Sequence, residues 1–417
     1  MNRERAFKRN FISNKMDAVI VVVISFILVL VTFMTIISGG LVGLAVEEGF
    51  SAATQVHSKN GVLRATIIAD EQEGKIANQS FTAMVYNGSL VGPTLQASAG
   101  DRIELTLINR LEMPTNLHFH GLHVSPSGNS DNVFREVGPG AIANYIIDIP
   151  ADHPPGTFWY HSHQHHLSYD QVSAGMSGLI VIEELVNLLP ASLHNIEEKE
   201  IAMKDFQIRG PTAPSQRTIN GDINPTLNIA TGETQLWRLA NIGSETYYNI
   251  VLPNHTFHVI AEDGNPVWRV WDAQQLLLSS GKRYDVLVTA GAPGTYPLTA
   301  LSTHLTICTS VDCPEVTLAK LNVEGATITQ ATIPSTLTPR NDLGNLTVDR
   351  HRTLVFSSND EERRYMIDGK IFDPTRVDQQ VQLGDVEEWT IRNMDGEEQS
   401  HSFHIHTNDF QVMSING

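Results

Sequence analysis

Gly100-Asp-Arg-Ile-Glu-Leu-Thr-Leu-Ile-Asn109 is the stretch that decides the fold. A glycine turn and an acidic residue open it, apolar and polar residues alternate through it, and an asparagine closes it. A period of two puts Ile103, Leu105 and Leu107 on one face of a β-strand and Arg102, Glu104 and Thr106 on the other. The pattern recurs as Gly232-Glu-Thr-Gln-Leu-Trp-Arg-Leu-Ala-Asn241 and as Gly384-Asp-Val-Glu-Glu-Trp-Thr-Ile-Arg-Asn393. Copies this far apart read as tandem repeats of one domain rather than as a solenoid of short units.

Each copy sits among further short β-prone runs separated by Gly, Pro, Asn and Asp. Examples are Arg64-Ala-Thr-Ile-Ile-Ala69, Phe81-Thr-Ala-Met-Val-Tyr86, Phe257-His-Val-Ile260 and Arg283-Tyr-Asp-Val-Leu-Val-Thr289. Turn signals every ten or so residues predict antiparallel β-sandwiches, an all-β fold. The expected domains are 59–186, 195–326 and 340–417, joined by linkers at Val186–Glu198 and Ala326–Asn345. Far fewer residues follow Asn393 than follow Asn109 within its block, so the third copy is expected to be incomplete.

With 417 residues and 41% hydrophobic content the chain can bury several cores. A formal net charge of −18 argues against nucleic-acid binding, which needs a basic face. Arg3, Arg5, Lys8, Arg9 and Lys15 precede an uncharged run from Ala18 to Ile37. Residues 1–17 therefore read as a basic cytoplasmic segment and 18–45 as a transmembrane helix that anchors the chain. The competing reading is a signal peptide cleaved after Gly43-x-Ala45. Both place the domains on the extracytoplasmic side, periplasmic or extracellular. The two cysteines, Cys308 and Cys313, flank a short loop and are expected to form a local disulfide.

Three windows concentrate the histidines: His118-Phe-His-Gly121, His161-Ser-His-Gln-His165 and His401-Ser-Phe-His-Ile-His406. Each holds a His-x-His pair, which on a strand presents two imidazoles on one face. Burying several unpaired imidazoles together is costly, and a metal offsets the cost. One four-coordinate zinc would be saturated by two of the pairs, so three pairs imply more than one ion. Carboxylates are not regularly spaced with the histidines, which disfavours a facial-triad iron, and copper fits best. His57, His194, His255, His258, His304 and His351 read as structural or solvated, with His258 expected in the core on a backbone partner.

These residues resemble a known family. His118-Phe-His-Gly121, Trp159-Tyr-His-Ser-His163 and His401-Ser-Phe-His-Ile-His406 look like three of the four copper signatures of the multicopper oxidases. Gly175-Met-Ser-Gly-Leu-Ile-Val-Ile182, Trp237-Arg-Leu-Ala-Asn241 and Gly281-Lys-Arg-Tyr-Asp-Val-Leu-Val288 extend the likeness from about Gly61 to Gly417. The resemblance implies tandem cupredoxin-like Greek-key sandwiches. It also implies type 1, type 2 and binuclear type 3 copper, and one-electron oxidation of a phenolic, amine or metal-ion substrate coupled to reduction of dioxygen to water. On the matching positions, His118 and His404 would hold type 2 copper. His120, His161, His163 and His406 would contribute to the type 3 pair, and His401 to type 1. His165 and His166 match no family role, and Asp131 matches an acidic group near the cluster, a candidate proton relay. A fourth signature, His-Cys-His, does not occur in these 417 residues. On that departure, a type 1 centre is not expected from the chain as written. Two other readings are a copper-sequestering protein without turnover and an enzyme like the copper nitrite reductases.

Overall fold

Ile103, Leu105 and Leu107 are fully buried, and the polar residues between them face outward, as the alternation requires. The computed structural model describes residues 50–76, 79–206, 208, 215–303, 313–337, 342–359, 364–395 and 400–416. The basic segment 1–17, the apolar stretch 18–45 and Cys308 lie outside them. Among the described residues no helix is long and apolar enough to cross a membrane. The structure is mostly β, and its one described α-helix is short, Ser168–Ala174.

Block one pairs two sheets. One runs Gln55–His57, Gly92–Ala97, Ser177–Ile182, Gly156–His161, His118–His120, and the other Gln79–Tyr86, Val62–Ile76, Arg102–Asn109, Ile142–Asp148. Leu63, Ile67, Leu95, Phe119, Tyr145 and Ile180 belong to the core they share. The block begins with Gln55–His57, before the expected start at residue 59, because that strand pairs in parallel with Gly92–Ala97. Block two repeats the plan with sheets of six and five strands around Trp237, Tyr248, Phe257 and Val286. In block three the described strands form one sheet, Arg364–Ile367, Arg350–Asn359 and Glu387–Asn393.

The repeated stretch plays one part in all three blocks. Arg102–Asn109, Thr234–Asn241 and Glu387–Asn393 each lie parallel to the strand that opens their sheet: Val62–Ile76, Glu198–Phe206 and Arg350–Asn359. The closing asparagine ends each strand in the same way. The side-chain oxygens of Asn109, Asn241 and Asn393 accept the backbone N–H groups of Leu111, Gly243 and Asp395, two residues on. This local turn satisfies a backbone donor where the sheet ladder stops.

The expected linkers are packed, not free. Leu185, Leu189 and Leu193, from two turns of 3₁₀ helix, bury against Leu236, Ile260, Leu287 and Leu337 of block two and its exit segment. The three leucines recur every fourth residue, a short signal that is broken by Pro190. Cys313 is disulfide-bonded, and Cys308 is the chain's other cysteine.

Blocks one and two meet through buried polar groups. Thr157 donates to Asp285, which pairs with Arg238 at 3.2 Å. Lys204, fully buried, donates to the carbonyl of Val172 (2.8 Å), the hydroxyl of Ser177 (2.6 Å) and the carbonyl of Ile242 (3.3 Å). Desolvation lowers its pKa to about 7 from the ordinary 10.5. Between these values the unfolded chain holds the proton more tightly, so the native state gains stability as pH rises from about 7 towards 10.5. The gain approaches ~1.4 kcal/mol per pH unit at its steepest. Lys204→Met is expected to remove it, so that wild type gains on the variant between pH 7 and pH 9.5. Urea unfolding of both proteins at the two pH values checks this.

Candidate metal centre

The strand His118–His120 runs antiparallel to Gly156–His161, with His118 opposite His161 and His120 opposite Trp159. Alternation sends Phe119 into the core and turns both imidazoles to the opposite face. The rings of His118 and His161 lie 5.3 Å apart, and the Trp159 indole stacks on His161 at 4.1 Å. Gly121 follows with φ of 89°, and a Cβ there would come within 2.6 Å of Arg283 Nη2. Only glycine fits this turn without displacing the guanidinium.

The other two pairs depart from the expected strand geometry. The second strand ends at His161, where the Ser162 hydroxyl turns inward to Gln171. The His163 N–H donates instead to Asn116 Oδ1 at 2.7 Å, which brings its ring 5.3 Å from His118. Residues 400–406 form no strand: among the described residues nothing pairs with their backbone as a ladder. Ring stacking places them: His404 on His120 at 3.7 Å and 13°, and His406 on His118 at 4.1 Å and 14°. Thr407 then turns with φ of 75°, the left-handed turn that Gly121 makes after the first pair.

Two sets of ring nitrogens converge within 4.8 Å: His118, His120 and His161, and His118, His404 and His406. Hydrogen bonds fix two tautomers. His118 Nδ1 donates to Asp131 at 2.9 Å and His161 Nδ1 to the Ser162 carbonyl at 2.8 Å. Their Nε2 atoms are left as buried lone pairs without partners. Burial, then neighbouring imidazoles, pushes His118, His120 and His161 well below the ordinary histidine pKa, and His404 down to about 3. Neutral imidazoles with orphaned inward lone pairs are what a copper ion requires. A cleft of about 310 Å³ opens onto His120, His161, His163 and His404, with Tyr169 and Ser244 also lining it.

Asp131 sits against this cluster. It also accepts the Phe119 N–H at 2.9 Å, and burial raises its pKa to about 6. His401 stands apart from the convergent sets, with Nε2 2.7 Å from Asp395. His165 and His166 are exposed and lie against each other at 3.8 Å. His258 is not in the core: it faces outward onto Asp272, at 2.6 Å, because its strand neighbours Phe257 and Val259 take the buried face. The sequence reading passed over three residues beside the centre, His123, His153 and Asp409. One signal for the last was available, since His118-x-His120-x-x-His123 and His404-x-His406-x-x-Asp409 share a spacing.

Three successive family models, each described as multicopper oxidase, match residues 68–186, 187–319 and 345–417. The chain is 26% identical over 376 residues to multicopper oxidase mco of Staphylococcus epidermidis, covering 86% of this chain and 77% of that one. It is 30% identical over 251 residues to laccase-1 of Melanocarpus albomyces, covering 51% and 37%. The solved multicopper oxidase of Campylobacter jejuni superposes with a TM-score of 0.70 at 21% identity, over 83% of this chain and 78% of that one. Matched models along the sequence, a shared fold and a convergent set of buried imidazoles agree: the chain belongs to the multicopper oxidase family.

Proposed function

We propose that the imidazole cluster holds copper and that the chain is the oxidase its family implies. It would couple one-electron oxidation of a phenolic, amine or metal-ion substrate to reduction of dioxygen to water. The observation that carries this reading is the face-to-face seating of the first and third signatures, His120 on His404 and His118 on His406, around unpartnered inward lone pairs. His118, His120, His161, His163, His404 and His406 would supply the trinuclear ligands and His401 one ligand of type 1 copper. Bound copper supplies the electron storage and dioxygen chemistry that no side chain has.

The chain's own groups prepare that site. Asp131 and the Ser162 carbonyl take the Nδ1 protons of His118 and His161, which fixes both rings with Nε2 inward. Asn116 holds the backbone at His163. The cleft gives dioxygen and water a way in and out between blocks one and two. With its pKa near 6, Asp131 can hold or release a proton close to neutrality, as a relay to the reduced oxygen requires. The apolar stretch 18–45, preceded by basic residues, belongs to the same reading as the anchor that keeps these domains on the extracytoplasmic side.

Titrating the metal-free chain with copper tests the site. More than one copper per chain is expected, with the stoichiometry reduced by His118→Ala and by His404→Ala. Dioxygen uptake with a phenol, ferrous or cuprous donor, without peroxide release, is expected once a His-Cys-His segment supplies the type 1 cysteine that these 417 residues lack. Copper uptake without dioxygen consumption on any of these donors would instead assign copper sequestration. Asp131→Asn keeps an acceptor for His118 but cannot carry the proton. It is expected to retain copper and lose on the order of 100-fold in turnover, read with an oxygen electrode from pH 5 to pH 8. Expression with and without residues 1–45, followed by membrane fractionation and protease protection, tests the anchor. The full chain should sediment with membranes and expose its domains on the extracytoplasmic face.

A further inference from the structure

Just beyond the paired imidazoles, one polar node touches all three blocks. From block one, His123 Nε2 lies 2.8 Å from Asp409 Oδ2 of block three. From block two, the Asn265 side chain lies beside Asp409 and helps hold its carboxyl below the ordinary aspartate range. Behind His123 lies His153, nearly fully buried. His153 Nε2 accepts the His123 backbone N–H at 3.1 Å, and its Nδ1 donates to the Pro154 carbonyl at 2.9 Å. One ring nitrogen accepts and the other donates, so His153 is neutral and fixed in one tautomer. The ring stands edge-on to Phe158, the side chain that also fills the space beside Gly121 and Gly264.

The node matters because block three is otherwise thinly held. Its described strands pack chiefly on one another, and Leu354 is the buried apolar residue among them. Beyond the imidazole stacks and this node, the hydroxyls of Tyr247 and Ser402, 3.0 Å apart, tie the third signature to block two. His123 follows His120 by three residues, and Asp409 follows His406 by three. A contact between them therefore fixes both signatures immediately beyond their second imidazoles.

We infer that Asp409 is a positioning residue. Through His123 and Asn265 it seats the third histidine signature against the first, so that His404 and His406 face the same metal volume as His118 and His120. The inference rests on the reading of the cluster as a copper site. Its role is to reduce the freedom of a loosely packed segment, and such groups around metal ligands affect affinity without touching the ion.

The test uses the full chain, stripped of metal and titrated with Cu(II). Affinity is read by chelator competition, ligand geometry by the EPR spectrum, and folding by near-ultraviolet circular dichroism. Asp409→Asn and His123→Gln are each expected to weaken copper binding about 10- to 100-fold and to change the nitrogen coupling pattern. The double variant should lose no more than the worse single one, because the pair acts as a unit. Asp409→Glu should restore most of the lost affinity, and Asp378→Asn, an acidic change elsewhere in block three, should leave it unaltered. Affinity and EPR spectrum unchanged in Asp409→Asn would overturn the role, as would losses that simply add in the double variant. If the parent chain bound no copper, the reading of the cluster would fall too, which separates the two failures.

Discussion

Desolvation of the clustered imidazoles is the constraint on which the rest depends. Six rings crowd together: His118, His120 and His161 are buried and held neutral by burial itself, His163 and His406 are half-buried, and His404 lies at the exposed side. A protonated ring there would face other rings without solvent. In His118 and His161 the outward Nδ1–H donates to Asp131 or to the Ser162 carbonyl, which leaves the single lone pair of each neutral ring on Nε2, facing inward. Those lone pairs suit a metal ion. Sandwich architecture, cross-strand register and the glycine turn at Gly121 all serve to bring those nitrogens together.

Polar groups at the block boundaries follow the same logic on a smaller scale. Lys204, Arg238 and Asp285 are buried, yet each is hydrogen-bonded across the boundary between blocks one and two, so separating the blocks would break these bonds as well as expose apolar surface. Such contacts specify one arrangement of the sandwiches more sharply than apolar packing would. The relative placement of blocks one and two bounds the cleft leading to His161 and His163. Rigidity at the boundary thus becomes access at the centre.

Much of this was legible in the sequence, for identifiable reasons. Strand alternation around Leu105 and the spacing of Gly100, Gly232 and Gly384 depend on local chemistry, and the sheets follow them. The first His-x-His pair lies on a strand as its period requires. The second and third pairs do not, because a strand's end is set by its neighbour and by turn bonds such as His163 to Asn116, which no single stretch encodes. His258 fell on the wrong face for a related reason: period two fixes alternation but not which face is inside. His153 is a lone histidine in sequence whose partner His123 is thirty residues away, and His123, three residues beyond His120, meets Asp409 only across blocks.

The turns after the first and third His-x-His pairs look equivalent but differ in cost. Gly121 adopts its left-handed conformation freely, whereas Thr407, β-branched, holds φ of 75° against its own side chain. Strain of roughly 1–3 kcal/mol is therefore stored after the third pair and not after the first. Block one presents its first pair on a relaxed turn, while the turn after the third is held in place like a compressed spring. The third signature is thus the side that recoils first when the stacks or the node are weakened, so the centre should come apart in a fixed order, beginning with His406 and His404.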